Sequence, residues 1–361
     1  MKKIIQFAVV LSFGYTGLFA QQKHSQKLTT VFEDQDHQLT GVAVSASERV
    51  FTNYPRWGEP YRYALVEVTG TNTSVPFPDE SWNEWKGTGD KMKHFLCVQA
   101  VVIDDQNSMW VVDAGSTQPS QDNDKGQKLV KINLTTNTVE RVYPLAGASD
   151  GKSYMNDTRI DTRKKLAYIT NSNEGGIVIV DLVSGKARQV LYMAKATQTN
   201  PAYQVKRNGK TLLRDGQPFH VQSDGIALSP DGKQLYFKAL TDNSLYHIST
   251  ADLNNELLSE AELEKKVVFD GKFTTSDGMA FDHKGNLYLG DLEGRKIIRI
   301  TPSLKTETVI PANEELAWPD SYHITKDGWL YISCSRIDEQ PQFHQGKSER
   351  KGSYKIYKIH L

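Results

Sequence analysis

Two stretches of the chain spell nearly the same phrase: Ser223-Asp-Gly-Ile-Ala-Leu-Ser-Pro-Asp-Gly-Lys-Gln-Leu-Tyr-Phe237 and, fifty-three residues later, Ser276-Asp-Gly-Met-Ala-Phe-Asp-His-Lys-Gly-Asn-Leu-Tyr-Leu289. Each copy is an apolar strand, a turn marked by Asp and Gly, and a second apolar strand, which predicts a β-hairpin. Weaker copies open near four other residues, namely Leu39, Val98, Asn156 and Trp318. Hairpin-sized units that recur every roughly forty to sixty residues are typical of a β-propeller.

Further strand-like segments follow each hairpin, so that most units contain four strands. The last unit supplies only three strands and ends with Tyr354–Ile359, whereas an unassigned strand, Leu28–Phe32, precedes the first unit. We therefore predict an all-β, six-bladed β-propeller. The N-terminal strand is expected to join the last blade and close the ring, which removes two exposed sheet edges.

Composition supports a soluble protein that handles small molecules. The chain has 361 residues, of which 38% are hydrophobic, and its formal net charge is zero. A chain of this size can bury a large core as one β domain. Because the charge is balanced, nothing favours nucleic acid or an anionic membrane as a partner. The expected partner is a small-molecule ligand or substrate, and the expected state is a monomer.

The first residues have the features of a signal peptide. Lys2 and Lys3 precede the apolar run Ile4–Phe19, and Ala20 offers a small residue at the cleavage point. The run is short for a membrane span and no later segment is long enough. We expect cleavage after residue 20, a secreted or periplasmic product, and a single propeller domain over residues 21–361.

The chain contains two cysteines, Cys97 and Cys334. Two are too few for a disulfide framework. They fall in the second and the last repeat, so we expect them to be unpaired and buried as small hydrophobic residues. A single disulfide between them is the alternative.

The starts of the first strands predict the functional site. In a four-stranded antiparallel blade the first strand lines the axis, so residues at its start converge at one mouth of the central channel. These residues are Thr40, Gln99, Asn156, Asp224, Asp277 and Asp320. We predict ligand contacts for all but Thr40. The alternative is a purely structural role in a turn, because Asp-Gly before a strand is a common turn sequence.

Long connections are expected on the same face, since long loops are rare in compact domains unless they serve a function. They are 77–95, 115–127, 193–222 and 338–352. Within 193–222, the segment Val205–Leu213 reads as a small hairpin and a candidate lid. Trp57, Trp82, Trp85 and Trp318 can supply an aromatic rim, and we favour Trp82 and Trp85 as ligand contacts because both lie in a long loop. Packing between blades is the commoner use of such residues.

The sequence resembles the yellow/major royal jelly protein family over almost the whole chain after residue 20. The resemblance rests on Thr40–Val44, Phe51–Trp57, Met109–Gly115, Tyr154–Asp157 and the repeated Ser-Asp-Gly phrase. It implies an exported six-bladed propeller; some members of the family are similar to amine-binding proteins and others are linked to catechol pigment chemistry. A shared fold does not by itself establish either activity.

The blade openings also resemble, more distantly, those of the gluconolactonase/senescence-marker propellers. In that family two Asn, an Asp and a Glu hold a divalent cation. The resemblance implies that Asn156, Asp224 and Asp277 are metal ligands, with Ca²⁺ as the candidate cofactor because the ligands are oxygen atoms. The Glu is missing, and its place falls near Thr40. Carboxylates crowded at one mouth require either a cation or raised pKa values.

Two functions of different classes follow. The first is binding of a small polar or aromatic molecule in the axial pocket, as the yellow-like resemblance implies. The second is a divalent-cation-dependent lactone or ester hydrolase, and no catalytic residue can be named for it from the sequence. A protein-binding scaffold is a third class, but no sequence feature favours it. A carboxylate as the fourth ligand, with Asp320 as the candidate, would favour hydrolysis, whereas an aromatic mouth would favour binding.

Overall fold

The architecture is a ring of six four-stranded antiparallel sheets. The computed structural model describes residues 27–58, 60–117, 126–148 and 152–361, so the predicted signal peptide lies outside the described residues. The strands are numbered β1–β28 in chain order. The predicted six-bladed β-propeller is confirmed.

Blades 1 to 5 each run outward from the axis in simple chain order. Blade 1 contains β2 (Ala43–Val44), β3 (Val50–Asn53), β4 (Leu65–Gly70) and β5 (Thr73–Pro76). Blade 2 contains β6 (Val98–Ile103), β7 (Ser108–Asp113), β8 (Lys128–Asn133) and β9 (Thr138–Pro144). Blade 3 contains β10 (Met155–Asp161), β11 (Leu166–Asn171), β12 (Ile177–Asp181) and β13 (Ala187–Val190).

Two small hairpins precede blade 4: β14 (Lys206–Arg207) with β15 (Lys210–Thr211), and β16 (Leu213–Arg214) with β17 (Gln217–Pro218). Blade 4 contains β18 (Ser223–Leu228), β19 (Gln234–Ala239), β20 (Ser244–Ser249) and β21 (Val268–Lys272). Blade 5 contains β22 (Met279–Phe281), β23 (Leu287–Asp291), β24 (Lys296–Ile300) and β25 (Thr306–Ile310). Short helices lie in the connections: α1 (Glu80–Asn83), α2 (Thr250–Leu253) and α3 (Glu260–Lys266).

Blade 6 is assembled from both ends of the described chain. It contains β26 (Pro319–Ile324), β27 (Trp329–Cys334) and β28 (Tyr354–His360), and β1 (Thr29–Asp34) is its outer strand. Phe32 of β1 is in register with Ile356 of β28. The N-terminal strand therefore closes the ring as predicted, and the edge that β28 would otherwise expose is paired.

The hydrophobic core is divided among the blade interfaces. Each neighbouring pair of blades shares one cluster of buried apolar side chains; Ala100, Val112, Met155 and Val178, for example, join blades 2 and 3. A further cluster lies beneath the two small hairpins and contains Val205, Leu212 and Trp318. Since each blade buries apolar residues on both faces, the ring is stabilised by packing between blades as well as by strand pairing.

Near the axis, polar side chains of the second strands donate hydrogen bonds to the next blade. These donors are Asn53 Nδ2 to Val98 O (3.0 Å), Thr170 Oγ1 to Asp224 O (2.8 Å), Lys238 Nζ to Ser276 O (3.2 Å), and Ser333 Oγ to Thr40 O. The last of these links blade 6 to blade 1. The first strands are thereby held at fixed positions around the channel.

Cys97 and Cys334 are both free and buried, as expected. Burial raises the pKa of the Cys97 thiol to about 12 and also raises that of Cys334. None of the helices within the described ranges has the length and apolar character that a membrane crossing requires.

Candidate functional site: the axial cavity

Four of the predicted contact residues lie at irregularities of the strand register near the axis. The strand register is irregular at the openings of β6, β10, β18 and β26, where Gln99, Asn156, Asp224 and Asp320 lie. A bulge bends a strand locally and redirects a side chain that would otherwise follow the regular alternation. The repeated irregularity places side chains from four of the blades around one point.

The glycines of the repeated phrase are required by close approach between blades. A Cβ atom on Gly225 would lie 2.6 Å from Asp277 O, and one on Gly278 would lie 2.6 Å from Asp320 O. Gly278 N also donates a hydrogen bond of 2.8 Å to Asp320 O. The Asp-Gly pairs thus place a carboxylate at the channel while the glycine lets the next first strand pass close by.

The structure brings the predicted ring of residues to one cavity of about 370 Å³. Its floor contains Thr40, Gln99, Asn156, Asp224, Asp277 and Asp320. The three aspartates are buried, with exposed fractions of 2%, 7% and 7%. A volume of this size suits a small organic ligand.

Aromatic side chains form the walls, although the two tryptophans that the sequence favoured are not among them. Trp82 packs against Phe95 at a ring-centroid distance of 5.1 Å and Trp85 lies 5.8 Å from His94, and neither lines the cavity. Ligand contacts by these two residues would therefore lie outside this cavity, because their loop folds against the core of blades 1 and 2. The aromatic residues that line the cavity are Trp57, Tyr154, Phe219, Trp318 and Phe343.

A segment that we call the lid borders the cavity. It comprises the two small hairpins of residues 206–218, which contribute Arg214 and Asp215 to the lining. The sequence predicted one hairpin here and the structure contains two. The lid is anchored by Arg207 Nε to Asp338 Oδ2 at 3.1 Å and by Asp215 N to Gln342 O at 2.7 Å.

Of the four long connections, 193–222 and 338–352 reach the cavity, and 77–95 does not. Residues 118–125 of the connection 115–127 lie outside the described part of the chain. Phe219, Phe343 and Arg214 were not named from the sequence. The signal for them was their position in the two long connections.

The carboxyl groups of the floor carry raised pKa values, as crowding predicts. Burial, followed by the charge of Asp277, raises the pKa of both Asp224 and Asp320 well above the usual range. Burial raises the pKa of Asp277 to about 6, and the indole hydrogen bond from Trp318 opposes that rise. Asp224 and Asp277 interact directly, so their protons leave as those of a coupled pair.

Two neighbouring groups adjust this charge. Asn156 Nδ2 donates a hydrogen bond of 2.6 Å to Asp224 Oδ2. Lys238 is 1% exposed, and its ammonium group donates to the backbone oxygens of Ala239, Asp242 and Ser276. Burial lowers the pKa of Lys238 to about 8, while the nearby carboxylates act in the opposite direction. A fixed cation therefore lies behind the acidic part of the floor.

The floor does not make a complete set of Ca²⁺ ligands. Thr40 occupies the place where the distant resemblance requires a glutamate, and its hydroxyl accepts a hydrogen bond of 2.9 Å from Asn53 Nδ2. Asn156 directs its amide nitrogen, not its oxygen, at Asp224. Within the described residues, no three His, Cys, Asp or Glu side chains are grouped closely enough to hold a metal ion.

Comparison with known proteins identifies the family. The sequence model described as major royal jelly protein matches residues 96–350. The chain therefore belongs to the major royal jelly protein family, the yellow-like propellers that the sequence resembled.

Several relatives of this chain are insect proteins. The yellow-related salivary protein M35 of Phlebotomus duboscqi is 21% identical over 91% of this chain and 87% of its own length. Major royal jelly protein 1 of Apis mellifera is 24% identical over 71% of this chain, and major royal jelly protein 7 is 22% identical over 63%. This chain spans only 63% and 51% of the length of those two royal jelly proteins.

Solved structures with the same fold include enzymes and a calcium-binding protein. A gluconolactonase of Xanthomonas campestris superposes with a TM-score of 0.54 at 12% identity, over 93% of this chain and 90% of that one. The calcium-binding protein regucalcin of Agrobacterium tumefaciens gives 0.54 at 14% identity, over 92% and 93%. At these identities the likeness concerns the fold alone.

Proposed function

We propose that this protein binds a small organic cation with an aromatic body in the axial cavity. The observation that carries the proposal is the arrangement of Asp224, Asp277 and Asp320 beneath walls that include Trp57 and Trp318. A primary ammonium group can donate hydrogen bonds to these carboxylates, and each such bond is charge-assisted. The aromatic walls offer apolar contact and cation–π attraction.

The raised pKa values of the floor carboxyl groups are consistent with a site that binds a positively charged group. In the absence of ligand, burial and mutual repulsion favour the protonated carboxyl groups. A bound ammonium group reverses that preference, so binding expels protons from the floor. Affinity is therefore expected to rise with pH as the floor carboxyl groups ionise, Asp277 through about 6, and to fall when the amine itself loses its proton.

A titration with three matched ligands tests the proposal. Tyramine, its neutral analogue tyrosol and its acidic analogue 4-hydroxyphenylpropionate share one ring and differ in charge. We expect stoichiometric binding of tyramine by calorimetry and at least about tenfold weaker binding of the other two. If tyrosol binds as tightly as tyramine, the carboxylates do not select for the positive charge of the ligand. If none of the three compounds binds, the proposal is contradicted.

Variants connect the binding to the floor. Asp277→Asn removes one negative charge while it keeps an acceptor for the Trp318 indole, and we expect about tenfold weaker tyramine binding. Asp231→Asn is the matched control, because Asp231 occupies the hairpin turn of the repeated phrase and is exposed there. The control should bind tyramine as the unaltered chain does.

A calcium-dependent lactone or ester hydrolase is the second candidate, and one observation favours it. Three buried carboxyl groups line the same cavity, and carboxylate oxygens are the ligands that Ca²⁺ prefers. Calorimetric titration with Ca²⁺ separates the two candidates. Stoichiometric Ca²⁺ binding that Asp277→Asn abolishes would favour the hydrolase and direct a screen of lactones and esters. Absence of Ca²⁺ binding would rule out the calcium-dependent hydrolase.

Export also belongs to the proposal. Lys2, Lys3 and the run Ile4–Phe19 form the signal peptide, and relatives are named as salivary and royal jelly proteins. We infer a secreted or periplasmic monomer in which residues 21–361 form one propeller domain. Mass spectrometry of the exported protein, with Gln21 expected as the first residue, tests the cleavage point.

A further inference from the structure

The lid carries a cation that is not neutralised within the described structure. Arg214 lies on β16, is partly buried and lines the axial cavity. Its guanidinium group has no carboxylate within ion-pair distance among the described residues. Arg207, on the neighbouring hairpin, differs in this respect, since it forms ion pairs with Asp338 at 3.1 Å and with Glu314 at 3.6 Å.

The acidic residue next to Arg214 does not supply the missing partner. Asp215 is exposed, and its backbone N–H donates to Gln342 O at the turn between β16 and β17. Its side chain makes no ion pair with Arg214. A partly buried guanidinium beside aromatic walls loses hydration, and an anion restores the lost interactions best because the fork of N–H donors fits a carboxylate.

The cavity therefore has two charged sides of opposite sign, the aspartate floor and the lid. Asp224 and Asp320 lie on the first strands of blades 4 and 6, and Asp277 lies just before that of blade 5. Arg214 lies on β16 of the lid. The aromatic residues Phe219 and Trp318 also line the cavity, with ring centroids 6.2 Å apart. A ligand that forms ion pairs with both the floor and the lid has an ammonium group at one end, an aromatic body, and an anionic group at the other end.

We propose that Arg214 makes the axial cavity a site for zwitterions, with the ligand's ammonium on the aspartate floor and its carboxylate on the lid. This inference rests on the proposed function, because it adds a second contact to the same bound amine. It also assigns the lid a role in specificity, since an anionic group reaches its partner only when the lid is in place.

Two ligands that differ only in charge test the inference. The compound 4-(2-aminoethyl)benzoate has an ammonium and a carboxylate at opposite ends of a ring, and 4-(2-aminoethyl)benzamide replaces the carboxylate by a neutral group of the same size. We expect the benzoate to bind about tenfold more tightly by calorimetry at neutral pH. In Arg214→Met the preference should disappear, because the affinity for the benzoate falls to that for the benzamide.

Lys210→Met is the matched control, since it removes one positive charge from an exposed position of the lid outside the cavity lining. It should retain the preference for the benzoate. Equal binding of benzoate and benzamide by the unaltered chain would overturn the zwitterion inference and leave the amine proposal intact. Failure of both compounds and of tyramine to bind would overturn both proposals. A preference that survives in Arg214→Met would assign it to another group and also overturn the inference.

Discussion

Trp318 Nε1 donates a hydrogen bond of 2.6 Å to Asp277 Oδ2. The indole is 2% exposed and belongs to the aromatic wall, whereas the carboxylate belongs to the acidic floor. One contact therefore fixes the wall relative to the floor and also favours the ionised form of the carboxyl group. The aromatic and the acidic parts of the cavity are not independent.

Replacing Trp318 by Phe should raise the pKa of Asp277 further above about 6, because the variant keeps an aromatic ring and loses the donor that stabilises the carboxylate. A carboxyl-detected NMR titration measures this pKa without any ligand. Trp110→Phe is the control, since Trp110 Nε1 donates to Asp104 Oδ2 at 2.8 Å outside the cavity. An unchanged Asp277 titration in Trp318→Phe would show that the indole does not stabilise the charge.

The free energy of unfolding should depend on Asp277 in a defined pH window. A folded-state pKa raised from 3.8 to about 6 stabilises the fold fully below pH 3.8, and this contribution is lost as pH rises through about 6. Asp277→Asn should therefore be more stable than the unaltered chain at pH 7.5, by on the order of 1–3 kcal/mol. The gain should vanish near pH 4.

Urea unfolding at pH 4 and pH 7.5 checks that prediction. Asp231→Asn is again the control, because hydrogen bonds from Ser229 and Lys233 lower the pKa of that exposed carboxyl group. It should show no gain at pH 7.5. An Asp277→Asn variant that is less stable than the unaltered chain at pH 7.5 would indicate that the ionised carboxylate is favourable in the fold.

The ion pair of Arg207 with Asp338 should slow ligand release, since it anchors the lid to the connection that follows β27. Arg207→Met should increase the dissociation rate of tyramine several-fold in stopped-flow fluorescence and make that rate less sensitive to salt. Lys210→Met changes the same charge on the same hairpin without an anchor. If both variants release tyramine at equal rates, the anchor does not control the lid.

Ring closure should depend strongly on Phe32. This side chain of β1 is 2% exposed and packs with Leu39, Tyr331 and Ile356 at the contact between blades 6 and 1. Phe32→Ala should lower the free energy of unfolding by about 3–5 kcal/mol in urea. Val183→Ala, at a position that is 64% exposed, should stay within about 0.5 kcal/mol of the unaltered chain. Similar values for the two variants would mean that β1 adds little to the ring.

The fold could be predicted because the repeated hairpins state it directly. Alternating apolar residues and Asp-Gly turns define a strand pair locally, and six such pairs define the ring. The closing strand could also be predicted, since the last unit lacked one strand and Leu28–Phe32 had no other partner. These inferences depend on local pattern and on counting, which a single sequence contains.

The floor of the cavity was predictable for the same reason, and the walls were not. Asp224 and Asp277 occupy equivalent positions in the repeat, so their convergence follows from the symmetry of the fold. The aromatic walls come from connections that have no equivalent in other repeats. Trp82 and Phe343 both lie in long connections, and only the tertiary path of each chain segment decides that Trp82 packs on the core and Phe343 lines the cavity.

The unequal charge of the six floor positions has a consequence for how a ligand is oriented. Blades 1 to 3 contribute Thr40, Gln99 and Asn156, which are uncharged, and blades 4 to 6 contribute the three aspartates. The electric field at the channel mouth therefore points sideways, across the ring, and draws a cation away from the central axis. A bound cation is therefore held on the side of the ring formed by blades 4 to 6. Since every floor position belongs to its own blade, a single substitution that adds or removes a charge shifts the side of the ring toward which the cation is drawn.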